Sequence, residues 1–155
     1  MIFREKKMDI REIGTKEVII AHCIAADLNW GSGIAPVIIR DMYDAEKQCR
    51  YKCSTNTDGF DGDLAPGGIL PVVTEKGTFV NLITKEHSWD KPTYLQLTQS
   101  LVKFRDWVYD EYDTPKHIVM PRIGCGLDRL EWFVVENIIR GVFHETNNSV
   151  NIVYK

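Results

Sequence analysis

Lys85 and Asp128 are the two residues whose types and positions could carry covalent chemistry. Lys85 ends an apolar run at 78–84, and a lysine amine is a nucleophile only in the deprotonated form that partial burial favours. Asp128 directly follows the glycine-rich run 124–127, where a carboxylate could act as a general acid or base. The structural alternatives are a solvated lysine at a strand end and, for Asp128, the N-cap of a capping box that Glu131 completes.

Two glycine-bearing loops could place a ligand beside these residues. Gly31-Ser32-Gly33 follows the apolar run 18–21, and Gly124-Cys125-Gly126 follows the run 117–120. Glycine allows positive φ and close approach of the backbone to a ligand, and a following helix directs free N–H groups at the same place. Two such loops at the carboxyl ends of neighbouring strands could hold a diphosphate. The alternative is two tight turns without a ligand, since neither loop is a Walker A or a complete dinucleotide-binding motif.

Charge limits how such an anion could be held. The 155 residues include 19 Lys and Arg against 22 Asp and Glu, which gives a net charge of −3. This balance excludes a protein that grips nucleic acid by bulk positive charge, so backbone geometry must hold any phosphate. Hydrophobic residues at 44% and charged residues at 26% are typical of a globular chain and exclude the disordered and collagen-like classes. No apolar run reaches the length of a membrane span.

The cysteines indicate a reducing compartment. The chain holds four of them: Cys23, Cys49, Cys53 and Cys125. They are too sparse for a disulfide scaffold and no signal peptide is visible, which predicts reduced thiols and a cytoplasmic location. Neither His22 with these cysteines nor the three aspartates within 58–63 matches standard zinc or calcium spacings, so no metal and no cofactor are predicted. Trp30, inside the first glycine loop, would either stack on a ligand or shield the crevice.

Strand and helix patterns alternate along the chain. Apolar β-rich runs predict strands at 18–21, 117–120 and 150–154, and a hairpin at 69–74 and 78–84 with Gly77 in its turn. Spacings of three and four predict helices at 34–48, 94–108 and 132–143, the second with Pro92 in its first turn. The glycine-rich stretch 51–68 predicts a mobile loop inserted into one domain of residues 1–155. The expected fold is a three-layer α/β/α sandwich with a mixed central sheet.

Several segments resemble the signatures of the macrodomain family, most closely those of its terminal ADP-ribose protein glycohydrolase branch. In the family's order, they begin at Ala21-His22-Cys23-Ile24, Gly31-Ser32-Gly33-Ile34-Ala35, Leu82-Ile83-Thr84-Lys85, Lys91-Pro92-Thr93-Tyr94 and Met120-Pro121-Arg122-Ile123-Gly124. The last continues to Trp132 and is long and specific. The similarity covers residues 17–50 and 78–155.

The resemblance implies a domain that binds ADP-ribose and removes it from a modified acceptor. In that branch, the lysine matching Lys85 attacks the anomeric carbon of the distal ribose, displacing an ester-linked carboxylate and opening the sugar. The aspartate matching Asp128 assists proton transfer and release of the lysine adduct. In the family an aspartate contacts adenine, and its match is Asp9, although Met8 replaces the usual preceding glycine. The substrate-binding residues it implies are Asp9, Ile10, His22, Cys23, Ile24, Gly31, Ser32, Gly33, Ile34, Ala35, Thr84, Pro121, Ile123, Gly124, Cys125, Gly126 and Leu127.

The acceptor and the reaction class stay open at this point. The acceptor could be an ester-linked glutamate of a protein or a nucleic-acid base. One alternative is a phosphatase for ADP-ribose 1″-phosphate, and another is a non-catalytic module that binds ADP-ribose or a related signalling nucleotide. The expected partners are ADP-ribose or an ADP-ribosylated macromolecule, without a membrane or an extended nucleic-acid footprint, and the expected state is a monomer.

Overall fold

The protein is built on a six-stranded mixed sheet. The computed structural model describes residues 1–55 and 64–155. The strands are β1 (Ile2–Lys7), β2 (Val18–Ala25), β3 (Gly68–Thr74), β4 (Gly77–Lys85), β5 (His117–Pro121) and β6 (Ser149–Tyr154). Their order in the sheet is β1-β6-β5-β2-β4-β3. All neighbours are parallel except β3 and β4, which form the predicted antiparallel hairpin. At its turn, a Cβ on Gly77 would lie 2.2 Å from the Thr15 carbonyl oxygen, so only glycine fits.

Helices cover both faces of the sheet. The helices are α1 (Glu46–Thr55), α2 (Tyr94–Glu111) and α3 (Trp132–Phe143), preceded by a 3-10 helix at Ile10–Glu12 and a π-helix at Val37–Met42. Alternate residues of a strand face opposite sides: Ile20 of β2 packs with the π-helix and α1, whereas Ile19 packs with α2 and α3. The expected three-layer α/β/α fold is therefore confirmed.

Helix α2 shows how local sequence sets an element. Leu97, Leu101, Phe104 and Val108 form its buried stripe. Thr93 caps the helix by accepting from the Gln96 N–H, and the Gln96 side chain accepts from the Thr93 N–H, which completes a capping box. Pro92 thus precedes the cap rather than lying in the first turn, so that detail of the sequence interpretation is wrong.

The region between β2 and β3 differs from its prediction. The prediction of one continuous helix over residues 34–48 is wrong, because a π-helix ends at Met42 and α1 begins only at Glu46. Asp44 between them adopts φ +49°, a left-handed conformation that interrupts a helix. Residues 51–55, predicted as loop, continue α1. The rest of the predicted mobile loop falls largely on residues 56–63, outside the described residues.

Two strands extend beyond the apolar runs that predict them. β2 continues to Ala25, which places His22 and Cys23 within the strand rather than after it. β1 has no apolar run because it is an edge strand whose residues, apart from half-buried Phe3, are exposed. In the described part of the chain, no helix is long and apolar enough to cross a membrane.

Candidate functional site

A cleft opens at the carboxyl ends of β2, β4 and β5. These strands are adjacent and parallel, with β2 in the middle, so their carboxyl ends and both glycine loops meet at one edge of the sheet, where open α/β sheets bind ligands. The empty space between the loops is about 840 Å³, including open solvent at the mouth. The topology therefore delivers the two predicted loops to one concave site.

Lys85 and Asp128 face each other in this cleft. The Lys85 Nζ donates to Asp128 Oδ1 at 2.7 Å, and only 13% and 15% of the two side chains are exposed. Lys85 reaches this position through an irregularity in the ladder: Ile24 pairs with Ile83, but Ala25 pairs with Lys85. One extra residue, Thr84, is thus accommodated in β4 as in a β-bulge. The solvated alternative for Lys85 is wrong.

Asp128 is not a helix cap. Helix α3 begins at Trp132, its N-cap residue is Glu131, and that cap makes no side-chain hydrogen bond. Arg129 in between has φ +62°, which takes the chain out of a helical path. The capping-box alternative is therefore wrong, and the carboxylate of Asp128 is left for the ion pair with Lys85.

The second glycine loop is closed by its own backbone. The Leu130 N–H donates to the Gly124 carbonyl at 2.7 Å, and the Arg129 N–H donates to the Gly126 carbonyl at 3.2 Å. Position 124 requires glycine because its φ is +72°, in a region that residues with side chains avoid. The loop is also held from outside, where the Lys91 Nζ donates to the Leu127 carbonyl at 2.7 Å.

The first glycine loop is supported by side chains. Trp30 is only 4% exposed and forms part of the cleft wall. The Arg50 guanidinium of α1 lies 5.0 Å from the centre of its ring and donates to the Leu28 carbonyl at 3.3 Å. Behind the loop, residues 35 and 36 form a helical turn. Gly33, with φ +70°, turns the chain toward it.

Few cations are available to hold an anion in the cleft. Lys85 is paired with Asp128, and the only other cation on the lining in the described ranges is Arg122. Its guanidinium donates to Glu5 at 3.1 Å and stacks on the Tyr154 ring at 3.9 Å. Backbone N–H groups and the helical turn at 35 are therefore the main groups left for a phosphate.

Comparison with known proteins identifies the family. No family model matches the chain. The human ADP-ribose glycohydrolase OARD1 is 33% identical over 134 residues, which cover 86% of this chain and 79% of that protein. The chain belongs to the macrodomain family. Among solved structures, the macrodomain of Mycobacterium tuberculosis DarG has a TM-score of 0.80 at 16% identity, covering 99% of this chain and 97% of that one.

A second solved structure aligns only in part. Thermosipho africanus DarTG in complex with ADP-ribose aligns with a TM-score of 0.74 at 15% identity, over 99% of this chain and 42% of that one. At these identities the two structures support the fold alone.

The cleft of this macrodomain brings most of the predicted site residues together. Besides Lys85 and Asp128, its lining includes Cys23, Ile24, Ser32, Gly33, Ile34, Ala35, Pro121, Ile123, Gly124, Gly126 and Leu127. It also includes four residues that sequence reasoning missed as ligand contacts: Ala25, Asn29, Ser88 and Arg122. Arg122 lies inside the long run that resembles the family, so its position could have identified it as a ligand contact. The sequence around Ser88 contains no such signal.

The other predicted site residues do not line the cleft: Asp9, Ile10, His22, Gly31, Thr84 and Cys125. The Asp9 carboxylate accepts from Arg11 at 2.6 Å and contacts Lys155 at 3.2 Å. These two cations hold the pKa of Asp9 well below its usual range. Ile10 is a core residue. Thr84 and His22 are buried.

The thiols and the histidine near the cleft are held in their neutral forms. Burial raises the pKa of Cys23 to about 12 and that of Cys125 to about 11, so neither is a ready nucleophile at neutral pH. Burial lowers the pKa of His22 to about 4. Among the described residues, no three His, Cys, Asp or Glu side chains are grouped to hold a metal ion.

Proposed function

We propose that this macrodomain is a hydrolase that binds ADP-ribose and releases it from a modified acceptor. The observation that carries the proposal is the partly buried contact between Lys85 and Asp128, 2.7 Å apart in the cleft where both glycine loops meet. A relative named as an ADP-ribose glycohydrolase supports it, and a protein of the same fold is described in complex with ADP-ribose.

The ligand would lie across the cleft with its diphosphate over the loop amides. The N–H groups around Gly33 and Gly124 would hold the anion without additional basic side chains. The distal ribose would then reach the floor formed by the carboxyl end of β4. Its anomeric carbon would face Lys85.

In the proposed reaction, Asp128 accepts a proton from the Lys85 ammonium, and the free amine attacks the anomeric carbon. A bond forms between that carbon and Nζ, and the bond to the acceptor carboxylate oxygen breaks, so the carboxylate leaves with the electron pair. The ring C–O bond at the same carbon then breaks, the ring oxygen takes a proton from the nitrogen, and a C=N bond forms to give a protonated imine. Water then adds to the imine carbon, and the C–N bond breaks to release ADP-ribose and the amine, with Asp128 returning the proton.

The burial of the ion pair favours an enzyme over a pure binding module. Taking two charges out of water is costly, and their mutual attraction often does no more than offset that cost. Binding of a sugar phosphate needs neither group. A carboxylate 2.7 Å from the lysine can, in contrast, take the ammonium proton when the amine reacts.

Single-turnover release of ADP-ribose from a glutamate-modified protein tests the proposal. We expect Lys85→Ala to slow release by about 10³-fold or more, because the nucleophile is lost. We expect Asp128→Ala to slow it by about 10²–10⁴-fold. Lys103→Ala and Asp110→Ala remove the same side-chain types from exposed positions on α2 and serve as matched controls. Release at the parent rate by either cleft variant would show that this mechanism is wrong.

Two further measurements separate the alternatives. Reduction with borohydride during turnover should trap the imine as a stable adduct on Lys85, detectable by mass spectrometry. Phosphate release from ADP-ribose 1″-phosphate, with modified protein left intact, would identify a phosphatase instead. Tight binding of ADP-ribose by calorimetry with no turnover of any ester would identify a binding module.

A further inference from the structure

Two chain segments run side by side just beyond Lys85, one following β2 and the other following β4. The Asp27 N–H donates to the Glu86 carbonyl at 3.1 Å. The Asp27 carboxylate then accepts from the Asn29 N–H at 2.9 Å and from the Ser88 N–H at 2.8 Å. One carboxylate therefore holds the two segments together a few residues beyond the lysine.

The side chains of Asn29 and Ser88 meet across this junction. The Asn29 Nδ2 donates to the Ser88 Oγ at 3.4 Å, and both residues line the cleft. Within the described ranges the Asn29 carbonyl oxygen accepts no hydrogen bond, so it is available to a ligand. The third amide or hydroxyl side chain on the described lining, that of Ser32, belongs to the glycine loop proposed to bind the diphosphate. Asn29 and Ser88 are therefore the uncharged polar pair nearest in the chain to the strand ends that carry the reaction.

The second step of the proposed reaction needs a bound water molecule. In that step water adds to the imine carbon on the Lys85 Nζ, and Asp128 accepts a proton. A reacting water has to be oriented as well as deprotonated, because a small misplacement lowers the rate steeply. A bound water makes about two to four hydrogen bonds, so Asp128 needs a second group beside it.

We infer that Asn29 holds the water that hydrolyses the Lys85 imine, and that Ser88 orients the Asn29 amide. The inference rests on the proposed function, because it assigns a role in the second step of that reaction. The water donates one hydrogen bond to the Asn29 carbonyl oxygen and the other to the Asp128 carboxylate. Asp128 takes the second proton as the water oxygen bonds to the imine carbon and the C=N electron pair passes to Nζ.

The rest of the step balances with the same groups. Asp128 returns its proton to the Lys85 nitrogen, and the C–N bond breaks with its electron pair on that nitrogen. The hydroxyl proton passes to the amine. This leaves an aldehyde on the open ribose and the ammonium form of Lys85, ready to pair with Asp128 again.

The charges around the pair favour water over the leaving carboxylate as the molecule that Asn29 binds. The Asp27 carboxylate binds the backbone of both Asn29 and Ser88, and Asp128 lies beside Lys85 in the same cleft. Two carboxylates at this end of the cleft repel a third. The leaving group therefore departs, and its place is open to a neutral molecule.

Separate rates for the two steps test this inference. The probe is a peptide modified with ADP-ribose on glutamate, under single-turnover conditions. Peptide release reports the attack by Lys85, and the adduct that borohydride traps over time reports hydrolysis. We expect Asn29→Ala to slow hydrolysis of the adduct by about tenfold or more, with peptide release within about twofold of the parent rate. Ser88→Ala should slow the same step by about two- to tenfold, the effect of one hydrogen bond.

Three further measurements distinguish this role from a general loss of activity. Asn29→Asp keeps an accepting oxygen and should restore most of the hydrolysis rate. Asn137→Ala removes an exposed amide of α3 and should change neither step. Methoxyamine attacks the imine carbon without a bound water, so it should discharge the accumulated adduct of Asn29→Ala and of Ser88→Ala at the same rate.

The possible results separate this inference from the proposed function. Unchanged hydrolysis of the adduct in Asn29→Ala would overturn the inference and leave the proposed function standing. Equal slowing of both steps, or an adduct that methoxyamine does not discharge, would show that Asn29 supports the fold or the sugar rather than the water. If the parent forms no adduct on Lys85, the proposed mechanism fails, and the inference fails with it.

Discussion

The two glycine loops of the cleft share a sequence signature but are held in different ways. In the loop after β2, a side chain outside the loop carries the support: the Arg50 guanidinium covers Trp30 and binds the Leu28 carbonyl. In the loop after β5, the backbone closes on itself through the bond from Leu130 to Gly124, and the Lys91 ammonium adds one bond from outside.

This difference determines which substitutions each loop tolerates. A loop closed by its backbone depends on the dihedral angles of particular residues, and a loop held by side chains depends on those partners. The same Gly-x-Gly pattern therefore does not indicate the same fragility. The next predictions test this contrast, beginning with the strands that carry the loops.

We expect acid to lower the stability of the protein through His22 of β2. His22 of β2 is fully buried, with a pKa of about 4 against a usual value of 6.5. The unfolded chain therefore binds more protons than the folded one below pH about 6.5, and stability falls as the pH drops toward 4. The expected loss is on the order of 3 kcal/mol, measurable by urea unfolding at pH 7 and 4.5. His22→Leu should flatten this slope, whereas His117→Ala in β5 should keep it; equal slopes in parent and His22→Leu would contradict the assignment.

Glycine substitutions in the second loop should separate a required glycine from a permitted one. Gly124 has φ +72°, and a Cβ there would lie 2.9 Å from a methyl carbon of Leu130. Gly126→Ala meets nothing within 4 Å. We expect Gly124→Ala to lower the free energy of unfolding by about 1–2 kcal/mol because of its left-handed backbone, and Gly126→Ala by less than about 0.5 kcal/mol. Denaturant midpoints at constant m-value measure both, and similar losses would argue against a backbone-closed loop.

Removal of the support of the first loop should have the smallest effect on stability. Arg50→Ala loses a partly exposed cation–π contact with Trp30, worth about 0.5–1 kcal/mol, and the bond to Leu28. Hydrogen exchange of the amides at 28–33 should become faster, while exchange at 122–130 stays at the parent rate. Arg50→Lys keeps the charge but loses the planar group, and should show an intermediate rate. Faster exchange in both loops would mean that the two are not independently supported.

Much of the fold follows from local patterns in the sequence. The strands that carry the loops are short apolar runs that precede glycine-bearing loops, and α2 has a continuous buried stripe. The prediction failed where tertiary contacts decide the outcome. β1 has almost no apolar pattern because it is an edge strand, and the break at Asp44 depends on a left-handed residue that composition does not reveal.

The candidate site was predictable in type but not in geometry. Lys85 and Asp128 are recognisable from their positions after a strand and a glycine loop, but their direct contact depends on the order of the strands in the sheet. Local sequence at Asp128 fits a capping box, and only the left-handed turn at Arg129 shows otherwise. Asn29 and Ser88 join the lining through a bond between their side chains at 3.4 Å, across 59 positions of sequence, which no local pattern contains.

The extra residue in β4 has a consequence for how this cleft can change. Because Ala25 pairs with Lys85 rather than with Thr84, the number of residues in the strand fixes the position of the amine. A slip of one residue would turn every side chain of the strand to the opposite face of the sheet. Substitutions along β4 change the packing gradually. A gain or loss of one residue before Lys85 would instead move the ammonium away from Asp128 in a single step, so in this strand length is more constrained than composition.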